Sequence, residues 1–255
     1  MTNQSRRKFI GTTAVAGLAS CFLSVAESSA NSVQPEKRLK NGTVILFQGD
    51  SITDGNRGRN EDPNHIMGHG YAFSIASRIG ADFPEKKYKF YNRGISGNKV
   101  TDLESRWQSD TLDLKPDVLS ILVGVNDAGS VVFNRLPVVS PGKYEETYNT
   151  LLEKTKAVFP DILFVLCEPF ILKVGKVADN WEVYQDDVER RREVVRKLAK
   201  KFNVVFVASQ EVFNKACEKA SPEYWMWDGI HPTVAGHELL AREWLEQVEK
   251  RISFK

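Results

Sequence analysis

Five residues of this 255-residue chain have the types and settings that acyl transfer requires. Ser51 stands in Gly49-Asp50-Ser51, Gly94 in Asn92-Arg93-Gly94, and Asn126 in Gly124-Val125-Asn126-Asp127. Asp228 and His231 share the stretch Asp228-Gly229-Ile230-His231-Pro232. A serine hydroxyl attacks a carbonyl poorly at neutral pH unless a base takes its proton. His231 is that base by type, because an unperturbed histidine titrates at about pH 6.5. Asp228 can accept from the other imidazole nitrogen, fix the tautomer and stabilise the imidazolium that forms during attack. The resulting oxyanion needs preorganised donors. The backbone N–H groups of Ser51 and Gly94 and the side-chain amide of Asn126 are the candidates. Each residue alone has an ordinary explanation: Gly94 could satisfy a turn, and Asn126 could cap a helix. Their occurrence together, each after an apolar strand-like run or in a short polar loop, points to a site.

The elements that must position them alternate. Apolar runs at 44–47, 88–91, 118–123, 162–166 and 204–207 read as strands covered on both faces. Helical patterns fall between them, at 71–83, 100–112, 143–158 and 181–201. A final helix opens at Pro232-Thr233 and runs to about Val248. Strands alternating with helices predict an α/β fold with a parallel sheet and helices on both faces. In such sheets the site forms outside the carboxyl ends of the strands, where Ser51, Gly94 and Asn126 would arrive together. The segment 129–142 carries Pro137 and Pro141 without a clear period and reads as a surface loop beside that rim.

Residues 1–30 read as an export signal rather than as part of the core. Ser5-Arg6-Arg7-Lys8-Phe9-Ile10 is a twin-arginine pattern, and the apolar run behind it is too short and too weak for a membrane span. Ser28-Ser29-Ala30 offers a cleavage site, while Leu18-Ala19-Ser20-Cys21 resembles a lipobox that would place a lipid anchor on Cys21. Both point outside the cytoplasm, to a periplasmic or extracellular protein whose single domain spans 31–255. Without 1–30 the chain has 32 basic and 32 acidic residues, which leaves no electrostatic footprint for nucleic acid or an anionic membrane. Cys167 and Cys217 do not make a disulfide scaffold; two free thiols or one bridge both fit.

Other residues invite weighing. Tyr224-Trp225-Met226-Trp227 precedes Asp228 and could form a sugar-stacking wall or pack the loop onto the core. His65 and His69 lie four apart, but no carboxylate or cysteine completes a metal ligand set, and a loop rimming the site is the better reading, with His69 facing substrate. His237 belongs to the last helix. The run Glu189-Arg190-Arg191-Arg192-Glu193 reads as a solvated helix face. Asp50 and Asp54 flank the serine and are expected to make structural hydrogen bonds.

With these motifs in place, the chain resembles the SGNH/GDSL hydrolase family over nearly all of 31–255. Gly49-Asp50-Ser51-Ile52-Thr53-Asp54, Asn92-Arg93-Gly94-Ile95-Ser96-Gly97-Asn98, Gly124-Val125-Asn126-Asp127 and Asp228-Gly229-Ile230-His231-Pro232 are similar to its four blocks. The resemblance implies a three-layer α/β/α flavodoxin-like fold with a five-stranded parallel sheet. It also implies a Ser51-His231-Asp228 triad, and neither cofactor nor metal. The serine does not sit in the Gly-x-Ser-x-Gly elbow of α/β-hydrolases. Arg57, Arg106-Trp107, Tyr224 to Trp227, and Thr233 to His237 extend the resemblance toward bacterial acetyl-xylan esterases. An exported carbohydrate O-acetylesterase is therefore expected, acting on a small or oligosaccharide ester. A lysophospholipase or thioesterase on the same fold and a non-catalytic carbohydrate-binding protein are the competing readings. Whether the chain forms a homo-oligomer is open at this stage.

Overall fold

The computed structural model describes residues 37–60 and 62–255. The expected export signal, with Cys21 and the cleavage region near Ala30, lies outside the described residues.

Five parallel strands form the central sheet: β2 (Val44–Gly49), β3 (Lys89–Asn92), β4 (Val118–Leu122), β5 (Leu163–Cys167) and β6 (Val205–Val207). Their order is β3-β2-β4-β5-β6, the flavodoxin-like arrangement in which the first sheet strand lies between the second and third. All five expected strands are present, displaced by a residue or two at their ends. A two-residue parallel pair, β1 (Lys37–Arg38) with β7 (Ile252–Ser253), was too short to show as a pattern.

Each face of the sheet carries its own apolar core, because strand side chains alternate sides. Ile45, Phe47, Val118 and Val165 face one layer, with Tyr71, Ile75, Phe213 and Trp244. Leu46, Leu119, Ile121 and Phe164 face the other, with Trp107, Tyr148, Leu152 and Leu198. The first layer is built chiefly from α2 (Tyr71–Asp82), α8 (Ser209–Cys217) and α10 (Val234–Glu249), and the second from α3 (Val100–Ser105), α5 (Pro141–Val158) and α7 (Trp181–Phe202). A buried indole needs an acceptor for its N–H. Trp244 Nε1 donates to Ser120 Oγ at 2.9 Å, which accounts for a serine inside the apolar strand β4. On the opposite face Trp107 Nε1 donates to Thr155 Oγ1 at 2.9 Å.

Four expectations about elements need correction. The pattern at 100–112 is not one helix: α3 ends at Ser105 and a π-helical turn covers Gln108–Leu112. The wider turn keeps Thr111 and Leu112 buried alongside Leu103 and Trp107, and it brings Thr111 Oγ1 to Gln48 Nε2 at 2.8 Å. The supposed loop 129–142 begins as helix α4 (Val125–Val132), hidden in the sequence by Asn126, Asp127 and Gly129. A Cβ on Gly129 would lie 3.2 Å from the Tyr184 hydroxyl, so the glycine permits α4 to close on α7. The last helix starts at Val234, capped by the Thr233 hydroxyl, because Pro232 is held in a bridge to Met226. Finally, the charged run on α7 is not wholly solvated. Arg191 is 0% exposed, lies 3.0 Å from Asp187 without hydrogen-bond alignment, and donates to Val139 O at 2.6 Å. Its guanidinium stacks over Tyr144, 5.3 Å from the ring centroid. Among the described residues Cys167 and Cys217 are free thiols, the first buried and the second half-buried.

Removing one member of a buried ion pair strands the other, at a cost of about 3–5 kcal/mol. Arg191→Ala is expected to lose that much in urea unfolding. Arg190→Ala, one residue away on an exposed pair with Asp186, is expected to lose under about 1 kcal/mol. Equal losses would show that Arg191 is not buried in the folded protein.

Candidate active site

Ser51 is the first residue of the short helix α1 (Ser51–Asp54), directly after β2. Asp50 caps that helix, its Oδ1 accepting from the N–H of Ile52 at 3.0 Å. The first N–H groups of a helix have no intrahelical acceptor, so the N–H of Ser51 is available to a ligand. His231 arrives from the loop between the short helix α9 (Pro222–Trp225) and α10. Its Nε2 lies 2.8 Å from Ser51 Oγ, and its Nδ1 lies 2.8 Å from Asp228 Oδ2. The other carboxylate oxygen, Oδ1, accepts from the backbone N–H of Ile230 at 3.0 Å and of His231 at 2.8 Å. With Nδ1–H donating to the Asp228 carboxylate, Nε2 presents a lone pair to the serine hydroxyl. The three-residue spacing of Asp228 and His231 thus closes a tight ring rather than a long-range contact.

A fourth side chain completes the group. Lys176 Nζ lies 2.8 Å from Asp228 Oδ2, the same oxygen that faces the imidazole. Lys176 sits on α6 (Gly175–Ala178), where Gly175, at φ +50°, packs on the Asp228 backbone so closely that a Cβ would stand 2.7 Å from Asp228 Cα. Burial pushes the Asp228 carboxyl up, but hydrogen bonds from His231, Lys176 and two backbone N–H groups outweigh it and hold the group well below the usual carboxylate range. Asp228 is therefore charged wherever the imidazole titrates. No sequence signal marks Lys176, which lies 52 residues before its partner.

The oxyanion donors require a correction. The N–H of Gly94 already donates to Asn92 Oδ1 at 2.9 Å, and a Cβ on Gly94 would collide with Asp54 N at 2.3 Å. Gly94 is thus the point where the loop after β3 touches α1. Asn92 tightens that junction, its Nδ2 donating to Thr53 O at 2.7 Å and Met67 O at 3.0 Å. Gly97, three residues on, lines the cleft beside Ser51, and its N–H has no acceptor among the described residues. Both glycines lie in Asn92-Arg93-Gly94-Ile95-Ser96-Gly97-Asn98, so the motif was found but the wrong member chosen. Asn126, on the first turn of α4, lines the same cleft; one amide hydrogen goes to Asn98 O at 3.2 Å and the other remains available.

The cleft encloses about 570 Å³. Ser51, His231, Ser96, Gly97 and Asn126 form its reactive end. Phe133, Tyr184 and Ile230 supply apolar wall, and Lys99, Arg135 and Lys176 supply charge. Among the expected substrate contacts, only Trp227 reaches the reactive group: its ring, 67% exposed, stacks on the His231 imidazole at 6.0 Å and 21°. Trp225 is turned inward, its Nε1 donating to Ala216 O at 3.0 Å, and Tyr224 packs edge-on against it. Neither lines the cleft. His69 does not line it either; its N–H is bonded to Gly55 O in the turn before α2. Asp54 holds Arg59, Ser96 and the Arg57 N–H, as a structural carboxylate. His237 on α10 accepts the Tyr71 N–H at Nδ1, and burial, aided by His69 and His231, pushes it down to about 4. Asp50 and Asp127 lie below the nucleophile, both pushed up to about 7 by burial. Among the described residues no cluster of three metal-ligating side chains occurs, and no helix is long and apolar enough to cross a membrane.

The shared Asp228 oxygen makes a prediction about Lys176. Lys176 is one of the four donors that hold the Asp228 carboxyl well below the usual carboxylate range. Lys176→Met is expected to lower kcat/KM by a few-fold, the modest size reflecting solvent screening of a half-exposed lysine. An unchanged kcat/KM would remove Lys176 from the support of Asp228.

Comparison with known proteins identifies the family. Residues 47–239 match the GDSL-like Lipase/Acylhydrolase family. The chain is 35% identical to an acetylxylan esterase of Geobacillus stearothermophilus, over 83% of this chain and 96% of that one. The crystal structure of an acetylxylan esterase from that organism superposes with a TM-score of 0.73 at 34% identity, covering 83% of this chain and 96% of the other. A candidate GDSL-like lipase from Parabacteroides merdae superposes with a TM-score of 0.80 at 39% identity, covering 85% of this chain and 100% of the other. The chain belongs to the GDSL-like lipase/acylhydrolase family, and it is a carboxylic ester hydrolase.

Proposed function

We propose that this protein hydrolyses O-acetyl esters of carbohydrates through Ser51, His231 and Asp228. The observation that carries the chemistry is the unbroken chain of 2.8 Å contacts from Asp228 Oδ2 through the imidazole to Ser51 Oγ. In the first half-reaction Ser51 Oγ attacks the acetyl carbonyl while His231 Nε2 takes its proton. The oxyanion is held by the N–H groups of Ser51 and Gly97 and by Asn126 Nδ2. His231 returns the proton to the departing sugar hydroxyl. Water then attacks the acetyl-serine with His231 again as base, releasing acetate.

Four observations support the acetyl-sugar substrate. The full-length relative is an acetylxylan esterase. The cleft also mixes polar and charged side chains with an apolar wall of Phe133, Tyr184 and Ile230, a lining suited to a short acyl group on a sugar. Trp227, exposed beside His231, provides a face on which a sugar ring can stack. The twin-arginine pattern of residues 5–10 supports export to the periplasm or cell exterior, where polysaccharide fragments are met.

Hydrolysis of p-nitrophenyl acetate should exceed that of p-nitrophenyl octanoate by about tenfold or more in kcat/KM, a gap of roughly 1.4 kcal/mol. Acetate should also be released from acetylated xylooligosaccharides. Preference for octanoate would favour the lysophospholipase or thioesterase reading. Equal rates for wild type and Ser51→Ala would refute the nucleophile and leave only a binding role. Asn126→Ala should lower kcat by about 10²–10³, the usual effect of deleting one oxyanion donor. A change confined to KM would instead make Asn126 a substrate contact.

A further inference from the structure

The cleft beside Ser51 carries two cations that ester hydrolysis does not use. Lys99 and Arg135 both line it. Lys99, at the start of α3, donates from Nζ to the Pro137 carbonyl at 2.9 Å, which holds the ammonium in place without neutralising it. Arg135 lies with its guanidinium over the Phe133 ring, 4.9 Å from the centroid, which orients the group and again leaves its charge uncompensated. Neither forms an ion pair among the described residues, whereas Lys176, the third cation of the cleft, is paired with Asp228. No aspartate or glutamate is among the residues that line the cleft.

Two unpaired cations on a concave, partly apolar wall create a positive potential that a neutral sugar leaves unused. A carboxylate uses it well. The planar guanidinium can grip both of its oxygens, and the ammonium adds a charge-assisted hydrogen bond. The cations also come from two separate segments, 99 before α3 and 135 after α4, which the Lys99–Pro137 contact ties together. Both therefore line the cleft of Ser51, and one contact joins the segments that carry them.

We infer that the preferred substrates are acetylated saccharides bearing a carboxylate, such as a uronate, with Lys99 and Arg135 holding the acid while the acetyl ester meets Ser51. The inference rests on the carbohydrate acetylesterase reading and specifies its substrate. The carboxylate itself is unchanged by the reaction: acetyl passes to Ser51 Oγ, the sugar hydroxyl leaves with the proton from His231, and water releases acetate.

The test uses a matched pair, a mono-O-acetylated methyl glucuronide and the methyl glucoside acetylated at the same position. They differ by a carboxylate in place of a hydroxymethyl group. The glucuronide is expected to have about a tenfold higher kcat/KM at low ionic strength, the size of one or two charge-assisted contacts. The difference should lie mainly in KM and shrink as salt is added. The double variant Lys99→Gln/Arg135→Gln should bring the ratio of the two substrates close to one, and Arg135→Glu should invert it. A wild-type ratio at or below one, or a ratio that the double variant leaves unmoved, overturns the inference while the acetylesterase reading stands. Failure to hydrolyse either sugar while p-nitrophenyl acetate is turned over removes the carbohydrate reading, and this inference with it.

Discussion

The hydrogen bond between Ser51 Oγ and His231 Nε2 joins residues 180 positions apart, and much of the molecule serves to keep those two atoms together. At one end, β2 is paired on both sides, with β3 and with β4, so its carboxyl end is fixed before the chain turns into α1. Asp50 caps that helix, and the Asn92 side chain binds it to the loop after β3. At the other end, the Asp228 carboxylate collects the N–H groups of Ile230 and His231 and the imidazole Nδ1, which leaves the ring little freedom. The Met226–Pro232 bridge closes the loop behind it. Neither end depends on a flexible side chain searching for a partner, and this preorganisation is what an acyl-transfer site requires.

The charges around this bond divide by depth. Near the surface, Asp228 is held ionised by donors and shares its oxygen with Lys176. Beneath the nucleophile, Asp50 and Asp127 are each left with one buried oxygen lacking a partner, and burial raises both carboxyls. The same aspartate chemistry is thus driven in opposite directions by donor count. Four donors make a permanent anion beside the base, while sparse donors make groups reluctant to ionise under the serine. Arg191, wholly buried, pairs with Asp187 and ties α7 to the 139 loop through Val139 O.

The strands were legible because each is an apolar run buried on both faces, a signal that depends only on local composition. Ser51, Asn126, Asp228 and His231 were legible because each sits in a short motif at a strand end or in a tight loop. Helix α4 was not, since polar residues needed by the cleft and a glycine needed by Tyr184 break its apolar period. Arg191 was misread for a related reason: charged residues mark a solvated face unless a distant pocket receives them, and Asp187, Tyr144 and Val139 form that pocket. Trp225 and Trp227, two residues apart, met different fates because one indole found a carbonyl acceptor on α8 and the other found only the imidazole face.

By itself the sequence determined the layer architecture, the strand order's consequence that one rim would gather the motifs, and the residue types of the reactive chain. Those follow from periodicity and from side-chain chemistry, which are local properties. The tertiary structure alone decided that the Gly94 N–H is taken by Asn92 while Gly97 lines the cleft, that Lys176 shares the Asp228 oxygen, and that Lys99 and Arg135 line the same cleft without carboxylate partners. Each of those facts depends on which groups are already satisfied by neighbours far along the chain. Hydrogen-bond and charge compensation are settled in three dimensions, and no spacing in the sequence encodes them.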